Sequence, residues 1–89
     1  MVEQDVEIIN KLGLHARAAA KLVSTASAFA ADIQLHFSGN QANAKSIMSV
    51  MLLAAAQGSV ITIRCDGADE NAAMQALVEL IDDYFGEDG

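Results

Sequence analysis

Between Ala16 and Ala31 the residues Ala19, Leu22, Val23, Ala26, Phe29 and Ala30 recur at helical spacing and form a single apolar stripe. A helix with one such stripe must lay it against another surface. The flanking segments offer that surface: Val2 to Ile9 places Val2, Val6 and Ile8 on one face with acids between them, and Ile33, Leu35 and Phe37 alternate with Gln34 and His36. From Ser59 to Cys65 the residues Ile61, Ile63 and Cys65 face one way and Val60, Thr62 and Arg64 the other. Half-apolar strands beside single-stripe helices point to a sheet covered on one side only.

The remaining punctuation completes the order. Ser38 to Gln41 reads as a hairpin turn in which Gly39-Asn40 takes positive φ, followed by a short strand near Ala42 to Ala44. Ser46 is a good N-cap for a second helix, Ile47 to Ala56, which Gly58 ends. Asp66-Gly67 turns the chain into a third helix beginning at Asp69 or Glu70, with Ala73, Leu77, Leu80, Ile81 and Tyr84 on its buried stripe. The tail from Gly86 is short and acidic, and is expected to fray. The predicted architecture is α+β, in the order β-α-β-β-α-β-α, with three helices on one face of a four-stranded antiparallel sheet. With 89 residues, residues 1–89 are expected to form a single domain.

Composition narrows the function. The lone Cys65 excludes an internal disulfide framework, and the absence of a signal-like apolar stretch points to a cytoplasmic protein. No apolar run approaches the roughly 20 residues that span a membrane, so no membrane insertion is expected. A net charge of −7 disfavours nucleic acid as a partner. The acids fall in blocks, Glu3 to Glu7, Asp32, and Asp66 onward, and Lys11, Arg17, Lys21 and Lys45 lie in the acid-free windows between them. A small anion bound there meets little repulsion from neighbouring sequence.

Gly13-Leu14-His15-Ala16-Arg17 lies within the first window. If the helix begins at Ala16, His15 is at or beside its N-cap, where the first backbone N–H groups point outward without intrahelical partners. A phosphoryl group on the imidazole would meet those donors, the positive end of the helix dipole and the Arg17 side chain. The same potential disfavours a protonated ring and leaves a neutral nitrogen as nucleophile. A histidine that merely caps the helix is the competing reading. Neither His36, expected on the solvent side of its strand, nor Cys65, expected in the core, has partners at ligand spacing, so no metal and no cofactor are expected.

Asn10-Lys-Leu-Gly-Leu-His-Ala-Arg17, then Asn43-Ala-Lys-Ser-Ile-Met48 and Asp66-Gly-Ala-Asp-Glu70, resembles HPr, the histidine-containing phosphocarrier family of the phosphoenolpyruvate-dependent sugar phosphotransferase system. The resemblance covers nearly the whole chain and implies the HPr fold, an open-faced β-sandwich. It implies that His15 is phosphorylated on Nδ1 by phosphorylated enzyme I and passes the group to a histidine of an enzyme IIA domain. On this reading the chain is a carrier and not an enzyme, and Arg17 stabilises the transferred group. Ala18 departs from the proline common after that arginine, and Ser49 and Ala54 stand where glycine is common.

The second helix is apolar nearly all round, although a helix on a sheet buries only one stripe. Val50 and Leu53 suit the core, while Ile47, Met48, Met51 and Leu52 are left as an outward docking patch, for which methionine is well suited. Burial of that patch in a dimer is the alternative, but a carrier meeting successive partners through one surface is expected to be a monomer. By resemblance, Ser46 is a regulatory site for a third partner, HPr kinase/phosphorylase, in those members that have one. Two other functions compete: a regulatory module of a nitrogen-related phosphotransferase branch, and a small-molecule-binding α/β sandwich without phosphohistidine.

Overall fold

A computed structural model describes residues 1–87. Its strands and helices follow the predicted order: β1 Val2–Glu7, α1 Ala16–Ser27, β2 Asp32–Phe37, β3 Asn40–Asn43, α2 Ile47–Leu52, β4 Val60–Asp66 and α3 Glu70–Asp82. A single 3₁₀ turn, Tyr84–Gly86, follows α3. The four strands form one antiparallel sheet in the order β1-β4-β2-β3. Register sets Val6 opposite Ile61, and Leu35 opposite both Ile63 and Ala42, so the alternating apolar residues gather on one face. There they meet Leu22 of α1, Val50 of α2 and Leu77 and Ile81 of α3, all fully buried. The opposite face is polar, with Thr62 donating to Asp5 (2.7 Å) and Arg64 paired with Glu3. This is the open-faced sandwich that the periodicities require.

Several boundaries differ from those expected, each for a reason that lies outside local sequence. Strand β1 stops at Glu7, and Ile8 continues alongside the chain after α2 through bonds with Ser59 and Gly58. Helix α1 ends at Ser27, not Ala31, because the carboxylate of Asp69 captures the N–H groups of Ala30 and Ala31 at 2.8 Å each. Ala30 is consequently exposed. Those bonds hold Asp69 below the ordinary carboxylate range, the Ala30 N–H being the strongest cause. In the hairpin the positive φ values belong to Ser38 (52°) and Gly39 (82°), and Asn40 already pairs with Phe37. Two left-handed residues match a tight turn to the twist of the strands.

Helix α2 is shorter than expected. It ends at Leu52, and Ala54, at φ 53°, turns the chain away before Gly58 is reached. Beyond α3, Tyr84 is exposed rather than buried, because positive φ at Tyr84 and Phe85 swings Phe85 into the core in its place. His36 is partly covered rather than open to solvent, and its Nε2 is shielded with no hydrogen-bond partner among the described residues. Cys65 is buried, which pushes its thiol pKa up, as suits a core residue.

Candidate functional site

The site is built on the turn between β1 and α1. Asn10 is fully buried, and its Nδ2 donates to the carbonyl of Gly13 (2.8 Å), which closes the turn. Gly13 takes φ 66°, and a Cβ there would lie 2.6 Å from the carbonyl oxygen of Ala55. Only glycine allows the chain after α2 to come this near. The next residue uses that approach, since Leu14 donates its N–H to the same carbonyl at 2.9 Å. His15 is thus held from below by the turn and by the exit of α2.

His15 is the N-cap of α1, with an extended backbone and its carbonyl accepting the first helical bond, from Ala19 (2.9 Å). The N–H groups of Ala16, Arg17 and Ala18 precede that bond and have no intrahelical acceptor. Arg17 donates its backbone N–H to Nδ1 of the His15 ring at 3.3 Å. A backbone N–H only donates, so Nδ1 carries a lone pair. The other ring nitrogen, Nε2, lies 2.5 Å from the Glu87 carboxylate and bears the proton. Both contacts therefore select the neutral tautomer whose free lone pair is on Nδ1.

Glu87 revises the electrostatics expected from sequence. The acid-free window around His15 is filled in space by a carboxylate 72 residues away, so the ring faces both the positive helix terminus and a negative charge. Gly86 and Glu87 do not fray: Nζ of Lys21 donates to the carbonyl of Phe85 (2.6 Å), Phe85 is fully buried, and Nδ2 of Asn10 donates to Glu87 at 3.1 Å. Burial pushes the Glu87 carboxyl up, but hydrogen bonds from Asn10 and His15 and the nearby charges outweigh it and hold the pKa below the ordinary range. The rest of the tail lies outside the described residues. Glu87 carries no local sequence signal as a partner of His15, and Asn10 is legible only as the first residue of the motif that resembles HPr. A buried phenylalanine just after a helix is the only local hint that the tail is tied down.

An open cleft of about 720 Å³ adjoins the ring, lined by Lys11, Leu12, His15, Ala16, Arg17, Gly86 and Glu87. The side chains of Lys11 and Arg17 form no ion pair among the described residues and offer positive charge to an anion in that cleft. Lys45, by contrast, is committed, donating to the carbonyl of Phe29 at 2.8 Å. Among the described residues no three histidine, cysteine or acidic side chains gather into a metal site. No described helix is long and apolar enough to cross a membrane.

Ser46 caps α2, its hydroxyl accepting from the N–H of Ser49 at 3.4 Å. Ile47, Met48, Met51 and Leu52 are exposed, most of all Leu52 (77%) and Met48 (68%), while Val50 and Leu53 are buried. The bond from Leu14 to Ala55 joins the exit of this helix to the His15 turn, and Leu12 in the cleft is also exposed (68%).

Fold and site together define a class of protein: small open-faced α+β sandwiches that present a histidine at a helix start, beside cations that form no ion pair among the described residues. The chain belongs to the HPr family of phosphocarriers of the phosphotransferase system. The family model described as "PTS HPr component phosphorylation site" matches residues 2–83. The chain is 58% identical over 88 residues to the phosphocarrier protein HPr of Xylella fastidiosa, covering 99% of each chain. The crystal structure of HPr from Thermoanaerobacter tengcongensis superimposes with a TM-score of 0.96 at 47% identity, covering all of both chains. A structure described as an HPr dimer from the same organism matches with a TM-score of 0.79 at 48% identity, covering 98% of this chain and 100% of that one.

Proposed function

We propose that this chain carries a phosphoryl group on Nδ1 of His15, taken from phosphorylated enzyme I and ultimately from phosphoenolpyruvate, and delivers it to a histidine of an enzyme IIA domain in the cytoplasm. The observation that carries the proposal is the paired bonding of the ring, which leaves Nδ1 as the free nucleophile at a helix start. Attack by the Nδ1 lone pair on phosphorus forms one N–P bond as the donor's N–P bond breaks, and the electron pair goes to the donor nitrogen. Once Nδ1 is bonded to phosphorus it no longer accepts from Arg17. That backbone N–H, with those of Ala16 and Ala18, becomes available to phosphoryl oxygens, and the Arg17 guanidinium adds a charge-assisted contact. Positioning and electrostatics are all the carrier supplies.

The exposed Ile47, Met48, Met51 and Leu52 form the docking surface for enzyme I and enzyme IIA on this reading, used by a monomer acting as one unit. Ser46, at the edge of that surface, is the site at which HPr kinase/phosphorylase would regulate the carrier: a phosphate there is compatible with the helix start but adds about −1.5 to −2 charges beside an apolar face. Incubation with phosphoenolpyruvate and enzyme I should yield one acid-labile, base-stable phosphoryl adduct, discharged on addition of an enzyme IIA domain. His15→Ala should take none, and Arg17→Ala should accept it more slowly. A full-length adduct persisting in His15→Ala would sink the assignment.

A further inference from the structure

We propose that Glu87 is a positioning and charge-balancing residue for His15, holding the proton on Nε2 through the whole cycle of phosphoryl gain and loss. The inference rests on the carrier reading and concerns what keeps that cycle reversible. In the resting state Nε2–H donates to the Glu87 carboxylate at 2.5 Å while Nδ1 accepts from Arg17. When Nδ1 forms its bond to phosphorus, the ring retains the Nε2 proton and becomes cationic. No proton leaves, because the adjacent carboxylate balances the new charge. In the return step the N–P bond breaks, its electron pair goes back to Nδ1, and the ring departs as neutral imidazole. Without the Nε2 proton it would have to depart as an imidazolate anion, a far poorer leaving group.

Glu87 is built for this task. Its other oxygen is fixed by the buried Asn10 at 3.1 Å, and the preceding residues are anchored by Phe85 in the core and by Lys21 on the Phe85 carbonyl. The carboxylate therefore approaches the ring from the side away from Nδ1 without occupying the nucleophile. The other charged groups of the cleft, Arg17 of α1 and Lys11 of the preceding turn, are cationic, as is Lys21, whose charge acts on Glu87 from the Phe85 carbonyl, and they would drive a proton off a cationic ring. Among the described residues Glu87 is the single group that opposes them. The relation is that of the buried acid which orients and balances the histidine of a catalytic triad, here applied to a histidine that is itself the nucleophile.

The test compares the full chain with Glu87→Gln, which keeps the shape and an acceptor oxygen but removes the charge. Both proteins are phosphorylated with phosphoenolpyruvate and enzyme I, and the spontaneous hydrolysis of the isolated phosphohistidine is followed against pH. A neutral acceptor forms a bond roughly half as strong as a charged one, so Glu87→Gln should be phosphorylated about tenfold more slowly. Its adduct should also hydrolyse about tenfold more slowly near neutral pH, with the two proteins converging in acid where Nε2 is protonated in both. A purely structural role for the tail would not move that profile. Glu87→Asp, one methylene shorter, should lie between the two. Superimposable pH profiles for wild type and Glu87→Gln would overturn this inference and leave the carrier reading standing. A wild-type chain that accepts no phosphoryl group would overturn both.

Discussion

Gly13 lies two residues before His15, and replacing it by alanine tests how the site is held. Two costs are separable. The first is conformational: at φ 66° any Cβ is in the left-handed region, which costs about 1–2 kcal/mol and is partly offset by a stiffer unfolded chain, worth about 0.4–1 kcal/mol. The second is steric: the new Cβ would meet the Ala55 oxygen at 2.6 Å and the Ala56 Cα at 2.9 Å, both backbone atoms that cannot rotate away. Forcing them apart costs about 1–3 kcal/mol as overpacking. The Leu14 to Ala55 hydrogen bond is stretched by the same movement, for about 0.5–1.5 kcal/mol more. Gly39→Ala supplies the control, because Gly39 is also left-handed (φ 82°) but has nothing within 4 Å of its Cβ position. The expected losses are about 1 kcal/mol for Gly39→Ala and about 3–5 kcal/mol for Gly13→Ala, against a total stability of about 4–13 kcal/mol for a domain this size. Urea unfolding measures both, with midpoints lowered by about 1 M and about 3–5 M for a slope near 1 kcal/mol per molar. Equal midpoints for the two variants, with unchanged slopes, would refute the claim that close approach of the α2 exit holds the His15 turn.

Other perturbations probe the rest of the molecule. Phe85→Ala removes a fully buried ring and should cost about 3–5 kcal/mol by thermal or urea unfolding, while also loosening Glu87 from His15; a loss under 1 kcal/mol would mean that the tail is not anchored there. Asp69, whose pKa is lowered by the Ala30 and Ala31 N–H groups, contributes stability that is present above its unfolded value and lost as pH falls through its folded one. As pH falls below the ordinary Asp value of about 4, the wild type should therefore lose stability more steeply than Asp69→Asn, and parallel curves would contradict the role given to those bonds. Ser46→Asp should keep the α2 cap and unfold within about 1 kcal/mol of wild type, yet accept phosphate from enzyme I more slowly. Equal rates would remove the regulatory reading of Ser46.

What sequence conveys here is what short-range periodicity can carry. Strand faces follow from alternation, so Val6, Ile33, Leu35, Ile61, Ile63 and Cys65 are all found in the core as expected. The motif around His15 was equally visible, because a helix cap and its neighbouring arginine are local features. The misplaced elements are those decided by partners far along the chain. Helix α1 stops where Asp69 reaches back 39 and 38 residues to Ala30 and Ala31, and nothing in an alanine-rich run announces that end. The exchange of Tyr84 for Phe85 in the core depends on two left-handed residues of types that rarely adopt that conformation. The largest omission, Glu87 on His15, spans 72 residues. A tail reading as polar and acidic carries no mark of the histidine it pairs with.

On the proposed function, Nδ1 of His15 is the atom that carries the phosphoryl group. That assignment is tested most directly by ¹⁵N and ³¹P magnetic resonance on labelled chain charged with phosphoenolpyruvate and enzyme I. One phosphorus is expected, coupled to Nδ1 of His15, with the proton still on Nε2 and the Arg17 amide resonance shifted as it exchanges a ring nitrogen for a phosphoryl oxygen. Phosphorus bonded to Nε2, or to any other residue, would contradict it.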